Sequence, residues 1–321
     1  MNYNIRFDGL GINLNINSVA FSIGNFQIYW YAICITVGFL LALVYALLNR
    51  KRFNLTEDNI LDSILLGVPL AIICARLYYV LFDLGSFHSF WDVIDLRNGG
   101  IAIYGGIIGA GIAGIILYKF RKIDILSLFD VGALGFLIGQ AVGRWGNFFN
   151  AEVYGVETSL PWGMTIKGGY VNAVSVHPLF LYESLWNILG FVVLHFVSVK
   201  DKKRFKGKIA LMYVAWYGIG RAFLEGLRNN EYVLKMFDTI YVSQIVALFS
   251  AVIAIVLIIV FQMRKDKKPI GEYVPVYTET TTKIAEENAE KNEISEGNAK
   301  DNIEDKENIQ VNNEENKNED N

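Results

Sequence analysis

The sequence predicts an all-α polytopic membrane protein with seven transmembrane helices, the N-terminus outside and the C-terminus in the cytoplasm. Three observations carry this expectation. First, 53% of the 321 residues are hydrophobic and the mean hydropathy is +0.33, although the C-terminal end is strongly polar. Second, apolar runs fall near residues 28–48, 60–82, 101–118, 125–143, 179–199, 209–227 and 239–262. Each is about the ~20 residues that a helix rising ~1.5 Å per residue needs to cross a core ~30 Å thick. Third, lysine and arginine concentrate in alternate connections, as expected when basic loops stay in the cytoplasm. Backbone in lipid must be satisfied within a helix or a closed barrel, and runs this long lack the two-residue alternation of a barrel strand.

Taken in order, residues 1–27 mix asparagine with scattered apolar positions and are expected to lie as an interfacial segment on the outer surface. The first apolar run is an anchor, because Asn49-Arg50-Lys51-Arg52 follows it where a cleaved signal needs small residues. The connections after the first, third, fifth and seventh runs hold sixteen basic residues, whereas the N-terminal segment and the other connections hold Arg6, Arg97, Lys167, Arg228 and Lys235. The seven-helix core spans 28–263, with an outer loop region at about 148–178. Residues 264–321 are expected to form a disordered acidic cytoplasmic tail: from Ile270 onward fifteen acidic residues face five lysines, too polar a composition to offset ordering entropy. The rest of the chain is then net basic, mostly on its inner rim, where anionic lipid heads would be met.

Cys34 and Cys74, the two cysteines, fall within predicted spans and read as small packing residues. Gly105, Gly109, Gly132, Gly135, Gly139 and Gly143 recur every three or four residues on the third and fourth spans, a spacing that lets helix backbones approach closely in lipid. No cluster of His, Cys, Asp and Glu has metal spacing, and no Walker loop or nucleophile elbow occurs, so no metal, cofactor or nucleic acid is expected.

The orientation turns sequence positions into depths. Tyr31 lies near the outer end of the first span, Arg76 in the outer third of the second, and Tyr104 at the outer start of the third. Arg144 and Asn147 close the fourth outside, His177, Tyr182 and Glu183 begin the fifth there, and Arg221 and Glu225 lie in the outer third of the sixth. An ionisable group at membrane depth costs several kcal/mol, roughly 2.5–3.5 on insertion scales, and reads as functional until a partner explains it. Arg76, Arg144 and Arg221 suit a lipid phosphate at headgroup depth, since guanidinium is permanently charged and pairs with phosphate through two bonds. Internal pairing is the alternative: Arg221 with Glu225, and Arg144 with Glu152 or Glu183.

One stretch is more specific. Gly143-Arg144-Trp145-Gly146-Asn147-Phe148-Phe149-Asn150-Ala151-Glu152 through Gly155 resembles the G-R-x-G-N-F-x-N-x-E-x-x-G signature of the prolipoprotein diacylglyceryl transferases. Further stretches resemble the same family in the same order: Trp30-Tyr31, Ala75-Arg76 with Tyr78-Tyr79, Gly99-Gly100-Ile101 with Gly105-Gly106, His177-Pro178 with Tyr182-Glu183, and Tyr217-Gly218 with Arg221, Glu225 and Arg228. The resemblance covers about residues 20–262. It implies an enzyme of the bacterial cytoplasmic membrane, its site toward the outer face, that moves a diacylglyceryl group from phosphatidylglycerol to the lipobox cysteine of a prolipoprotein signal peptide. A thioether forms and glycerol phosphate leaves.

In that reading Arg144, Arg221, Tyr104 and Glu152 are catalytic, and Tyr31, Arg76, Asn147, Asn150, Gly155, His177, Glu183 and Glu225 bind substrate. One position departs from the family. Tyr104-Gly105-Gly106 stands where many members carry a histidine proposed as the base, and tyrosine, with an ordinary pKa of ~10, donates rather than accepts. Either Tyr104 orients substrate or has a lowered pKa, or Glu152 or Glu183 takes the proton. The competing functions are another head-group transferase or a hydrolase on the same lipid, and a transporter; the latter would place polar residues at the midplane of a repeated architecture, which the chain lacks.

Overall fold

The computed structural model describes residues 1–87, 89–95, 99–201, 204–229, 235–236 and 240–267. The expected acidic tail lies almost wholly outside them. The all-α expectation is corrected at the N-terminus, where Asn2–Phe7 (β1) and Ile12–Asn17 (β2) are antiparallel strands, with Tyr3 facing Ile16 and Ile5 facing Leu14. The alternation Ile-Asn-Leu-Asn-Ile-Asn in β2 has a period of two, the spacing that puts alternate side chains on one face of a strand. That pattern was present in the sequence, hidden by the polarity of asparagine.

Within the expected outer loop region lie Met164–Gly168 (β5) and Val171–Val176 (β6), which complete a four-stranded sheet ordered β2-β1-β5-β6. Tyr3, Ile5, Met164, Ile166, Ala173 and Val176 form its buried face, packed on Phe148, Ala151 and Phe180. The sheet therefore rests on the end of one helix and the start of another. A hairpin of Val19–Ile23 (β3) and Phe26–Tyr29 (β4) leads without a loop into the first helix.

The long helices are Trp30–Asn49 (α1), Glu57–Phe82 (α2), Ile103–Arg121 (α4), Ile125–Asn150 (α5), Leu179–Lys200 (α6), Lys208–Glu225 (α7) and Val242–Lys267 (α8); Phe90–Ile94 (α3) is a short one. Among the described residues six helices are long and apolar enough to cross a membrane; α7, 18 residues carrying Lys208, Arg221 and Glu225, is not one of them. Boundaries follow local chemistry. Thr56 and Asn59 form a reciprocal capping box at the start of α2, and Asp124 caps α5 by accepting from the backbone N–H groups of Leu126 and Ser127. Burial pushes the Asp124 carboxyl upward, but Lys206 at 2.5 Å and the Ser127 hydrogen bonds outweigh it and hold the group below its ordinary range. The buried Asp130 of α5 accepts from Gly207 N and Ala210 N, both at 2.9 Å, and so caps α7.

Glycine sets the helix contacts as expected on α4, where a Cβ on Gly105 or Gly109 would strike the α2 backbone at Cys74 and Leu70. On α5 the glycines behave differently. Gly139 meets Gly38 of α1 closely, whereas Gly132 has nothing near it and Gly132, Gly135, Gly139 and Gly143 together line an open groove. Cys34 and Cys74 are free thiols.

Candidate active site

Helix α5 ends in the thirteen-residue stretch, and its termination shapes the site. Ala151 closes the helix in the left-handed region at φ 52°, and its N–H and that of Glu152 bond to Phe148 O and Asn147 O. Val153 is also left-handed at φ 55°. A β-branched residue there costs roughly 1–3 kcal/mol and persists only where its surroundings dictate it. The double reversal turns Glu152 back onto the helix end: its Oε1 accepts from Asn147 Nδ2 at 2.9 Å and Asn150 Nδ2 at 3.5 Å. Among the described residues no arginine pairs with Glu152.

Gly155 follows where the chain passes between two other segments. Its N–H bonds to His177 O at 3.0 Å and it bridges to Arg228, while Val156 N bonds to Leu227 O at 2.9 Å. A Cβ at residue 155 would lie 2.6 Å from His177 Cβ and 2.7 Å from Leu227 O. Gly155, expected to bind substrate, is a point of close approach that fastens the α5 end to the residues after α7.

Those contacts assemble an ion network. Arg144 pairs through Nε with Glu183 on α6, and Glu183 accepts from Arg228 Nη2 at 3.2 Å. Arg228 Nε lies 3.7 Å from Glu225, which pairs with Arg221 at 2.9 Å and accepts from Ser243 Oγ at 2.6 Å. The expected pairs Arg144–Glu183 and Arg221–Glu225 are both present. Among the described residues these ion pairs join three guanidiniums to two carboxylates, Arg144 also donates to Asn147 Oδ1 at 3.4 Å and so links the network to Glu152, and Glu225 is 1% exposed, a setting where charge is weakly screened. Arg228, which the sequence places in a connection, joins the two halves of the network.

Arg76 goes elsewhere. Its Nε donates to Val93 O at 2.8 Å, Nη1 to Gly99 O and Gly100 O at 2.7 Å, and Nη2 to Asp92 O at 2.6 Å and Asp95 O at 2.8 Å. Phe87 covers the guanidinium at 5.0 Å. All five donors are used by main chain, so Arg76 organises the connection between α2 and α4 and has no donor left for a phosphate. Tyr104 is likewise outside the network: it is 66% exposed and packs against Tyr78 at a centroid distance of 6.2 Å. His177 lies at the rim, its Nδ1 3.2 Å from Tyr182 Oη, which also accepts from Trp162 Nε1 at 2.7 Å. Burial lowers the His177 pKa and favours its neutral form.

Two spaces meet at Arg144. On one side an apolar groove of about 710 Å³ runs between α1, α2 and α5 from Leu128 to Asn147, about 29 Å along the helix at 1.5 Å per residue. Its walls are mostly Ile, Leu, Phe, Val, Ala and the α5 glycines, with Ser63 and Gln140 among them, and one end is polar, formed by Tyr31, Arg144 and Asn147. Tyr31 is seated in the notch left by Gly146, where a Cβ would come 2.7 Å from its ring. On the other side is a cleft of about 20 Å³ lined by Arg144, Glu183, Tyr217, Arg221 and their neighbours. The arrangement offers a long apolar trough, a cationic end and a second polar recess beside it.

The family model for prolipoprotein diacylglyceryl transferase matches residues 18–260. The chain is 42% identical over 264 residues to phosphatidylglycerol--prolipoprotein diacylglyceryl transferase 1 of Clostridium perfringens, covering 81% of this chain and 100% of that protein. It is 41% identical over 257 residues to the phosphatidylglycerol--prolipoprotein diacylglyceryl transferase of Finegoldia magna, covering 79% and 100%, and 39% identical over 258 residues to that of Bacillus velezensis, covering 78% and 93%. By this match over residues 18–260 and these identities, the chain belongs to the prolipoprotein diacylglyceryl transferase family.

Proposed function

We propose that this chain transfers the diacylglyceryl group of phosphatidylglycerol to the lipobox cysteine of prolipoproteins, the first step of lipoprotein maturation. The observation that carries the reading is the groove: mostly apolar along its length, and polar at the end formed by Tyr31, Arg144 and Asn147. A diacyl lipid with an anionic head has the same division. Family membership and the substrates in the relatives' names support it. In this reading α7 is a seventh span, the N-terminus is outside, the C-terminus is cytoplasmic and the site faces outward from the cell membrane, an orientation supported by the sixteen-to-five division of basic residues.

The reaction displaces a phosphate ester at a glyceryl carbon. A thiolate sulfur forms the C–S bond, the C–O bond to phosphate breaks, and glycerol phosphate leaves with the electron pair. Arg144 holds the phosphate from the groove side and Arg221 from the cleft side, their guanidiniums meeting the charge that grows on the phosphate oxygens. Asn147 and Asn150 each spend one amide hydrogen on Glu152 and keep one for substrate. The same positive field lowers the pKa of an incoming thiol, ordinarily about 8.5. Glu183 is engaged by two guanidiniums as a member of the ion network; Glu152, hydrogen-bonded to the neutral amides of Asn147 and Asn150, is the group assigned here as the base that removes the thiol proton.

The test is to mix the purified protein with phosphatidylglycerol and a lipobox peptide and measure the mass of the peptide. A diacylglyceryl gain on cysteine is expected. Release of glycerol phosphate or diacylglycerol with an unmodified peptide would overturn the transferase reading in favour of a hydrolase.

A further inference from the structure

Directly beneath the network, α6 and α7 are joined by a reciprocal contact that no step above uses. Trp186 on α6 and Trp216 on α7 stack at a centroid distance of 4.6 Å and an interplanar angle of 24°. Trp186 Nε1 donates to Trp216 O at 3.2 Å, and Trp216 Nε1 donates to Trp186 O at 3.1 Å. Each acceptor carbonyl is already the helical partner of the residue four positions on, and that residue is a glycine in both helices, Gly190 and Gly220. A Cβ on Gly190 would strike Trp216 Nε1, and one on Gly220 would strike Trp186 Nε1. The missing side chain lets each indole reach across the neighbouring helix to its carbonyl. The Trp-x-x-x-Gly spacing is thus repeated, and each half is cut to receive the other.

The clasp sits where a change in helix separation would be felt most. Glu183, which holds Arg144, precedes Trp186 by one turn, and Gly220 is adjacent to Arg221. Trp186 and Gly220 themselves line the cleft shared by Arg144 and Arg221. We propose that Trp186 and Trp216, with Gly190 and Gly220, are positioning residues that set the separation of α6 and α7 and thereby the span between the Arg144 and Arg221 guanidiniums. The inference rests on the reading of those two arginines as the phosphate grip. Neither indole touches the reacting atoms; both act through the helices.

The clasp is tested with the full-length protein in lipid, comparing wild type, Gly220→Ala, Trp186→Phe, Trp216→Phe and the double variant Trp186→Phe with Gly220→Ala. Transfer of diacylglyceryl from phosphatidylglycerol to a lipobox peptide is measured per folded molecule, and near-ultraviolet circular dichroism reports the stacked indoles. A displacement near 1 Å costs about 10²-fold in rate, so Gly220→Ala is expected to lose kcat by that order while KM for phosphatidylglycerol stays within about threefold. Each Trp→Phe variant, which deletes one N–H bond and adds no clash, is expected to lose the indole dichroism and a smaller part of kcat, about tenfold. The double variant should regain kcat relative to Gly220→Ala, because the Cβ no longer meets an indole nitrogen. Should Gly220→Ala not fold, the two Trp→Phe variants carry the test. Folded variants with kcat within twofold of wild type would overturn the clasp and leave the phosphate grip standing. A wild type without transfer would overturn the grip and the clasp together.

Discussion

Gly155→Ala adds one methyl group at the junction that fastens the α5 end to the residues after α7. The new carbon would lie 2.6 Å from His177 Cβ and 2.7 Å from Leu227 O, against an optimum of about 3.5–4.0 Å for nonbonded heavy atoms. The shortfall is about 1 Å against each of two separate segments. Neither obstacle is the end of a flexible side chain, so no rotamer change relieves it; the two flanking segments have to part. Parting them stretches the Gly155 N–His177 O and Val156 N–Leu227 O hydrogen bonds and moves Arg228, which joins Glu183 to Glu225. Overpacking of this kind costs about 1–3 kcal/mol, and a 1 Å displacement of the network costs about 10²-fold in turnover. The assay is peptide lipidation per folded molecule beside thermal unfolding in detergent, with Gly111→Ala as the control, since a Cβ there meets nothing within 4 Å. A folded Gly155→Ala protein turning over within twofold of wild type would refute the account of Gly155 as a close-approach residue.

Arg144→Ala is expected to abolish transfer in a protein that still folds, and Arg144→Lys to recover little of it, because a point charge lacks the guanidinium fork; near-normal turnover of either removes the phosphate grip. Glu152→Gln keeps an acceptor for Asn147 but cannot take a proton, so kcat should fall by about 10²–10⁴ with little change in KM for phosphatidylglycerol; equal loss from KM alone would point to another base. Arg76→Met deprives five carbonyls of their donors and should lower the melting temperature and expose residues 89–95 to protease, while the residual folded protein keeps its kcat; a kcat loss without destabilisation would return Arg76 to the site. Burial holds the His177 pKa below its ordinary value of about 6.5, so the native chain stays neutral there where an unfolded chain is already protonated. The stability this contributes is whole above that value and is lost as pH falls through the folded-state pKa. His177→Gln should therefore flatten the acid-side fall in melting temperature, and an unchanged slope would count against it.

The helices were legible because length and apolarity are enough to find them, and even α7, too charged at its ends to stand as a strongly apolar span, was found from its apolar middle. The strands were not, since β2 alternates Ile and Leu with Asn and so has the period of a strand but the composition of a loop. Depth along a helix follows from numbering, and it brought Arg144, Glu183, Arg221 and Glu225 to one level. Direction around the helix axis does not. Arg76 therefore reads as a site residue until its carbonyl partners are seen, and Arg228, just past the end of α7, reads as a loop charge until the Gly155 junction draws it inward. Gly155 belongs to the signature for a steric reason that no single sequence displays.

Arg76 grips Asp92, Val93, Asp95, Gly99 and Gly100 by their peptide oxygens alone. A lock that reads backbone is blind to what hangs from it, so Val93 is free to drift through evolution while the turn it belongs to keeps its form. Gly100 has no such freedom: at φ +80°, with Arg76 and Tyr79 standing where a Cβ would go, it is the keyhole itself. Diversity at the first position and invariance at the second are what descent should have left behind.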